Sequence, residues 1–298
     1  MIRTFLLFSF LLQAASRPPC TWTPAKETGH LEAVVNESSG MAISRRIPNR
    51  MYRINDSGDS GRFFAMDLTG SGTKIVKIER FSPVDTEDMA IGPCSASSDC
   101  IFIGDIGDNS RRRQFYGLVV VEERADFPAE VPATYRVRMR YPDGPHDAEA
   151  LGVHPDGTVY ITTKDSRQSQ IFKLKREQWR KSGNTEEVLE PVVTLDWSVL
   201  RPNALPFVRP ITAMDIAPDG KSFVLLNYVD AVEFFVDLSA SSVDAAKWKE
   251  GKDYRTIELT TLEQEEAIGY LPDGRSLLYD TERPPNATTA RIMRMDCR

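Results

Sequence analysis

The chain has 298 residues, of which 41% are hydrophobic and 27% are charged, enough for one large core or two smaller ones. Its formal net charge is −6. This charge argues against a general affinity for nucleic acid and makes a positively charged or metal-bearing partner easier to accommodate.

The first element is an N-terminal stretch, residues 1–16, that has the form of a secretory signal. It carries Arg3, then an apolar run from Phe5 to Leu12, and ends in small residues. The apolar run is too short to span a bilayer, and no later stretch is long enough. We therefore expect residues 17–298 to form a single exported domain, secreted or periplasmic and without a membrane partner.

Export gives meaning to the cysteines, because oxidising compartments allow disulfides to persist. The four are Cys20, Cys94, Cys100 and Cys297. Three pairings are possible, and the positions favour Cys20–Cys297 and Cys94–Cys100. No Cys-x-x-Cys spacing occurs, which argues against a zinc site or a thioredoxin-like motif.

Internal repetition is the most informative feature of the sequence. Three stretches align without gaps: "EALGVHPDGTVYITTK", "TAMDIAPDGKSFVLLN" and "EAIGYLPDGRSLLYDT". Each reads as an apolar strand, a Pro-Asp-Gly turn and a second apolar strand. Proline presets φ, glycine accepts positive φ and aspartate caps locally, so each stretch predicts a β-hairpin.

Two divergent copies precede these three. "EDMAIGPCSASSDCIFIGD" has a loop bounded by Cys94 and Cys100 in place of the turn, and "SGMAISRRIPNRMYRIND" turns at Pro48 and Asn49. Aligned on their turns, the five copies place one residue each in a common column at the start of the first strand. These residues are Ser39, Glu87, Glu149, Thr212 and Glu266.

Two more strand-like runs follow each hairpin, such as "RFFAMDL" and "TKIVKIERF". Five repeats of four strands predict an all-β protein, a five-bladed β-propeller of four-stranded blades. The last repeat keeps only three strands, ending in "ARIMRMD". We expect the N-terminal run "GHLEAVV" to complete this blade and close the ring, with the Cys20–Cys297 bridge locking the seam.

The predicted propeller brings polar residues to one face. The first strand of a blade starts, and the second strand ends, at the same rim. The second strands end in Asn55-Asp56, Asp105, Thr163-Lys164, Asn227 and Asp280. Because the column residues begin the first strands, we expect all of these side chains around the channel mouth.

Three glutamates of the column facing one narrow channel repel one another unless they are neutralised, protonated or separated by water. A hard cation resolves the repulsion, and calcium takes six to eight oxygen ligands. The predicted ligands are Glu87, Glu149, Glu266, Asn55 and Asn227. The alternative is that the acids bond backbone amides across blade interfaces. An isolated EF-hand is not indicated, since the loop from Asp105 lacks glycine at position six and a carboxylate at position twelve.

Four further rim residues are candidates for catalysis or substrate binding. His146, in "DGPHDAEAL", is the histidine placed to act as a base or metal ligand, and Asp105 is a second candidate base. Lys164 and Asp56 are candidate substrate-binding residues, Lys164 because it can orient an anion.

Five motifs carry a resemblance to known proteins. "NDSGDSGRFFAMDL", "DTEDMAIGP", "IFIGDIGDN", "YPDGPHDAEALGV" and "YITTK" resemble a family of secreted, mostly bacterial propeller proteins without an assigned activity. More loosely, the architecture is similar to the calcium-dependent gluconolactonase/paraoxonase-like and phytase propellers. That resemblance implies calcium at the channel mouth, with Glu87, Glu149, Glu266, Asn55 and Asp105 in comparable places. This chain departs from those relatives in having five blades rather than six and serine at position 39.

Two functions follow as hypotheses. The first is a metal-dependent hydrolase of esters, lactones or phosphoesters. The second is a non-catalytic propeller that binds a small molecule, glycan or protein at the channel mouth, with a purely structural cation. A glycosidase ranks lower, because the tryptophans do not fall at rim positions, and no Gly-x-Ser-x-Gly elbow indicates a serine hydrolase. We expect a monomer.

Overall fold

The computed structural model describes residues 20–298 except 182–185, 207–208, 261, 263 and 285. The predicted signal, residues 1–16, lies outside this part of the chain. The described residues form a five-bladed β-propeller with very little helix, which confirms the predicted fold. Among them, no helix has the length and apolar character needed to cross a bilayer.

Each blade is a sheet of four main strands. In sequence order, the first of the four is the innermost strand. Blade 1 contains Ser38–Ile43, Met51–Asn55, Arg62–Met66 and Lys74–Ile78. Blade 2 contains Thr86–Pro93, Asp99–Asp105, Tyr116–Glu122 and Tyr135–Arg140. Blade 3 contains Ala148–Val153, Val159–Thr163, Gln168–Leu174 and Glu190–Asp196. Blade 4 contains Ile211–Ile216, Phe223–Asn227, Asp230–Phe234 and Tyr254–Glu258.

Blade 5 is completed by the N-terminus, as predicted. It contains Glu265–Tyr270, Ser276–Thr281, Arg291–Asp296 and the N-terminal Lys26–His30. The N-terminal strand pairs antiparallel with Arg291–Asp296. It lies earlier than expected, because "GHLEAVV" contributes only Gly29 and His30 to it. The apolar side chains of Leu31 and Val35 instead enter the core between blades 5 and 1.

Both predicted disulfides are formed. Cys20 and Cys297 join the N-terminal segment to the end of blade 5, with their Cα atoms 5.4 Å apart. Cys94 and Cys100 close the first hairpin of blade 2, with Cα atoms 5.1 Å apart. This bridge replaces the turn residues of the other blades. In three of those, the glycine of Pro-Asp-Gly takes a positive φ, for example 91° at Gly157.

Blades 1 and 2 each gain a short fifth strand that the repeats did not predict. Glu130–Val131 pairs in parallel with the outer strand of blade 1, and Glu186–Val188 pairs in parallel with that of blade 2. Both come from connecting segments. They cover sheet edges that would otherwise carry unpaired backbone groups.

The core consists of five apolar clusters, one between each pair of neighbouring blades in the described structure. Four contain a large aromatic side chain from a connecting or terminal segment: Phe127, Trp179, Trp248 and Trp22, in clusters between blades 1 and 2, 2 and 3, 3 and 4, and 4 and 5. Each of these rings packs against apolar side chains of two neighbouring blades. The tryptophans therefore serve packing between blades.

An ion pair joins blades 1 and 5 where the ring closes. The guanidinium of Arg53 contacts the Asp280 carboxylate, and both side chains are fully buried. The Ser38 hydroxyl also donates to Asp280, at 3.4 Å. Burial lowers the pKa of Arg53 to about 9, against the opposing effect of Asp88. Removing one partner leaves the other as an unpaired buried charge.

We predict that Asp280→Asn lowers the free energy of unfolding by about 3–5 kcal/mol, because Arg53 loses its counter-charge in a dry interface. Urea denaturation measures the change. The double variant Arg53→Met with Asp280→Leu recovers most of it, since neither partner of the pair is then left as an unpaired buried charge. The control Asp126→Asn breaks the exposed Lys74–Asp126 pair and leaves stability essentially unchanged. Equal losses in the single and double variants would contradict this account.

Candidate functional site at the channel mouth

The five column residues share a structural feature: each is the extra residue of a β-bulge. In every blade, the register between the first two strands shifts across that position, as between Thr86 and Asp88 around Glu87. A bulge leaves one residue out of the ladder and re-aims its side chain. The repeat thus places five bulges around the axis at the same height.

The column residues divide into two groups. In blades 1 and 4 they are hydroxyl residues that bond a neighbouring blade: Ser39 donates to the Glu87 carbonyl at 2.5 Å and Thr212 to the Glu265 carbonyl at 2.8 Å. In blades 2, 3 and 5 they are the glutamates, all buried. Serine at position 39 therefore joins blades 1 and 2 through the backbone of Glu87 and not through its carboxylate.

Asp56, Asp85 and Glu87 form a cluster of three acids at the channel mouth. One carboxylate oxygen from each lies within 4.8 Å of the others. We call these three residues the acid trio. Asp85 was not among the residues predicted from the sequence. It stands two positions before Glu87 in "VDTED", just ahead of the strand Thr86–Pro93, and this closeness in sequence was the available signal.

The loop "GDIGDN" forms a wall of the acid trio. A Cβ atom on Gly107 would lie 2.2 Å from Oε1 of Glu87 and 2.5 Å from Oδ2 of Asp85. The backbone N–H of Gly107 also donates to the Asp85 carbonyl at 3.1 Å. Only glycine therefore allows this loop to approach the carboxylates so closely.

The two aspartates of this loop make structural contacts. Asp105 accepts hydrogen bonds from the backbone N–H groups of Val84 and Asp85, and Arg113 pairs with it at 2.9 Å. Asp108 accepts from the backbone of Arg112 and Arg113 and from the Tyr116 hydroxyl. Both fix the loop that carries Gly107. The catalytic role predicted for Asp105 remains a prediction.

Burial and mutual repulsion dominate the electrostatics of the mouth. Burial, with the charges of Glu149 and Asp56, raises the pKa of Glu87 to about 11. Burial and Glu149 also raise the pKa of Glu266 well above its ordinary value. The pKa of Asp85 is raised by burial and by the nearby charge of Asp56. In the described structure, neither Glu87 nor Glu266 accepts a hydrogen bond on its carboxylate.

The alternative role for the acids, bonding backbone amides between blades, is filled by other residues. Asp88 accepts from the N–H groups of Leu151 at 2.7 Å and Met214 at 3.2 Å, and Asp215 accepts from Tyr270 at 2.7 Å. These aspartates lie on the same inner strands as the glutamates. Asp88 and Asp215 thus accept hydrogen bonds from backbone N–H groups of other blades, and among the described residues Glu87 and Glu266 have no such partners.

Lys164 is the cation at the centre of this acidic face. Its ammonium contacts the Glu149 carboxylate and lies 5.3 Å from the centre of the Tyr228 ring. Burial lowers the pKa of Lys164, but Glu149 outweighs it and the net direction is upward. Burial raises the pKa of Glu149 to about 7 despite Lys164. Tyr228, like Asp85, was missed by the sequence analysis.

The remaining predicted residues lie in local networks at the rim. Asn55 donates to the Val34 carbonyl and to Asp59, and Asn227 bonds Asp230 and the backbone of Val229. Their amides organise loops. The His146 ring bonds Asp143 at 2.9 Å and packs against Tyr141 and Phe172. Its described contacts include none of the mouth carboxylates, and its catalytic role remains a prediction.

The similarity of this chain to known proteins is limited to distant structural likeness. No protein-family model and no curated protein matches the chain. Among solved structures, a luciferin-regenerating enzyme is 8% identical over 91% of this chain and 94% of its own, with a TM-score of 0.47. Streptogramin B lyase is 10% identical over 93% and 98%, with a TM-score of 0.46. The calcium-binding protein regucalcin from Agrobacterium tumefaciens is 10% identical over 91% and 96%, at 0.44. Similarities this distant carry no information on activity.

The raised pKa values predict how stability depends on pH. A carboxyl whose pKa is raised by folding binds more protons in the folded state, so its contribution is fully present below pH 4.5 and is lost as the pH rises. For Glu149 the loss spans pH 4.5 to about 7, and for Glu87 it extends to about 11. We therefore expect the melting temperature of the chelator-treated protein to fall across this range.

Glu87→Gln is expected to flatten that decline, because a neutral amide replaces the group that resists ionisation. The exposed Glu122 of the same blade provides a matched control, and Glu122→Gln should follow the wild type. Differential scanning fluorimetry between pH 4.5 and 9 measures all three proteins. A Glu87→Gln curve parallel to the wild-type curve would be evidence against repulsion at the mouth.

Proposed function

We propose that the protein is a cation-dependent hydrolase of an ester, lactone or phosphoester, with calcium held by Asp56, Asp85 and Glu87. The observation that carries this proposal is the acid trio: three carboxylate oxygens within 4.8 Å of one another, one of them on a buried glutamate without a hydrogen-bond partner in the described structure. An exported protein, as the sequence predicts, would meet calcium outside the cell.

The geometry of the trio suits a calcium ion. Calcium–oxygen distances are about 2.3–2.6 Å, so two ligands on opposite sides of the ion lie about 4.6–5.2 Å apart. The spacing within the trio is compatible with a shared ion. The donors are hard oxygens, the type that calcium prefers. Gly107 leaves the Glu87 and Asp85 oxygens unobstructed by a side chain.

A cation bound there would supply Lewis-acid polarisation of a substrate oxygen. The residues of the chain provide the rest. Lys164, fixed between Glu149 and the Tyr228 ring, presents a positive charge that can orient the electron-rich end of a substrate. This retains the substrate-binding role expected for Lys164, whereas Asp56 moves from substrate binding to the cation site.

Proton transfer falls to the two other glutamates of the column. The carboxylate of Glu149, with a pKa of about 7, is poised to accept a proton from water near neutral pH. Glu266, whose pKa burial and Glu149 raise well above the ordinary value, is the candidate acid that protonates a leaving group. Glu149 and Glu266 thus become acid–base candidates, beside His146 and Asp105.

The first test is calcium binding by isothermal titration calorimetry on chelator-treated protein. We expect one ion per chain, and at least about a tenfold loss of affinity in Glu87→Gln or Asp85→Asn, because each removes a charged ligand. Gly107→Ala should weaken binding as well, since its methyl group displaces both carboxylates. The control Glu122→Gln should bind normally. Wild-type protein that binds no calcium would refute the cation site.

The second test separates catalysis from binding. A panel of carboxylic esters, lactones and phosphoesters is assayed with the wild type and with Glu149→Gln, each saturated with calcium. We expect turnover of one substrate class and a loss of about 100-fold or more in kcat for Glu149→Gln, the scale of a general base. Calcium binding without turnover of any class would favour the non-catalytic propeller, whose cation only braces the blades.

A further inference from the structure

The Cys20–Cys297 disulfide differs from the other disulfide in its surroundings. Cys20 is partly exposed and lines a cavity of about 510 Å³ between the outer parts of blades 4 and 5. Cys297 is nearly buried. The Cys94–Cys100 sulfurs belong to residues that are 7% and 0% exposed. Cys20 thus gives a small reagent a route to the first disulfide, whereas both residues of the second are buried.

A guanidinium lies against the accessible disulfide. Nη2 of Arg255 is 3.3 Å from Sγ of Cys297 and 3.7 Å from Sγ of Cys20. Glu233, only 1% exposed, holds this group at 2.6 Å, and the rings of Trp22 and Phe235 flank it. The cation is therefore fixed in place beside the sulfurs. No described side chain donates a hydrogen bond to Cys94 or Cys100 sulfur.

From this geometry we infer that Cys20–Cys297 is a thiol-exchange site, reduced by a small dithiol that enters the cavity and attacks Cys20. The reagent thiolate bonds to Sγ of Cys20 as the disulfide breaks, and the electron pair leaves on Sγ of Cys297. Arg255 stabilises that thiolate, which makes Cys297 the better leaving group. The second thiol of the reagent then displaces Cys20. The reagent becomes a cyclic disulfide, and its two protons appear on Cys20 and Cys297.

Reduction would unlock the seam of the ring. The N-terminal segment pairs with the C-terminus through Thr21 and Arg298, which exchange backbone hydrogen bonds at 2.8 and 3.0 Å, and it carries Trp22 into the cluster between blades 4 and 5. Without the covalent link, non-covalent contacts alone hold the segment: these, the bonds between Thr23 and Asp296, and the strand Lys26–His30. The site is at the opposite end of blade 5 from Glu266, and it is independent of the proposed hydrolase.

The test measures the two disulfides in the same molecule. Full-length protein is treated with dithiothreitol under native conditions, quenched at intervals with an alkylating reagent and mapped by mass spectrometry. We expect Cys20–Cys297 to be reduced at least about tenfold faster than Cys94–Cys100, because accessibility and a stabilised leaving thiolate both favour it. The melting temperature should fall in step with its reduction.

Arg255→Gln separates the effect of the cation from accessibility. Removing Arg255 also weakens the attachment of the N-terminal segment, and this effect alone would make reduction faster. Slower reduction in Arg255→Gln therefore supports the inference. Arg255→Lys should restore part of the rate. The control Arg275→Gln removes a contact with the Cys297 carbonyl rather than with sulfur and should reduce at the wild-type rate. Equal rates for the two wild-type disulfides, or unchanged or faster reduction in Arg255→Gln, would overturn the inference.

Discussion

The constraint on which the channel mouth depends is like-charge repulsion in a narrow, partly dry space. Ring closure carries Glu87, Glu149 and Glu266 to one rim from three different blades, and β-bulges aim them off their strands. Three charges so placed cannot all persist without compensation. Lys164 compensates Glu149 directly. Glu87 and Glu266 meet the constraint by resisting ionisation, and a bound cation would meet it by attraction.

Much of the fold could be predicted because its signals are local. A Pro-Asp-Gly turn needs only three residues to specify a hairpin, and five hairpins in one register leave few architectures other than a propeller. The fifth strands of blades 1 and 2 could not be predicted in this way. Glu130–Val131 and Glu186–Val188 are short, and their pairing depends on which edge the connecting segment passes. The N-terminal strand was displaced for a similar reason: Leu31 and Val35 had apolar places to fill between blades.

The site was predicted less completely than the fold. The column residues could be aligned because the bulge positions repeat from blade to blade. The repeat pattern gave no reason to rank one rim residue above another. Asn55 and Asn227 bond nearby backbone groups, as short polar side chains readily do near turns, and their role as metal ligands stays a prediction. Asp85 and Tyr228 lie outside the repeat pattern, and only the folded loops bring them to Glu87 and Lys164. Which oxygens remain free is a property of loop conformation, which the sequence does not display.

The contrast among buried acids explains why the mouth is the best candidate for function. Asp88 and Asp215 are as deeply placed as the glutamates, and burial raises the pKa of both, but backbone N–H groups from neighbouring blades oppose that shift. Among the described residues Glu87 and Glu266 have no such N–H partners, and their burial disfavours the ionised form despite the nearby charge of Lys164. A protein stabilised elsewhere, by aromatic packing between blades and two disulfides, can tolerate that cost at one rim. A bound cation would relieve this repulsion. The free energy recovered in this way would add to the affinity of the site for the cation.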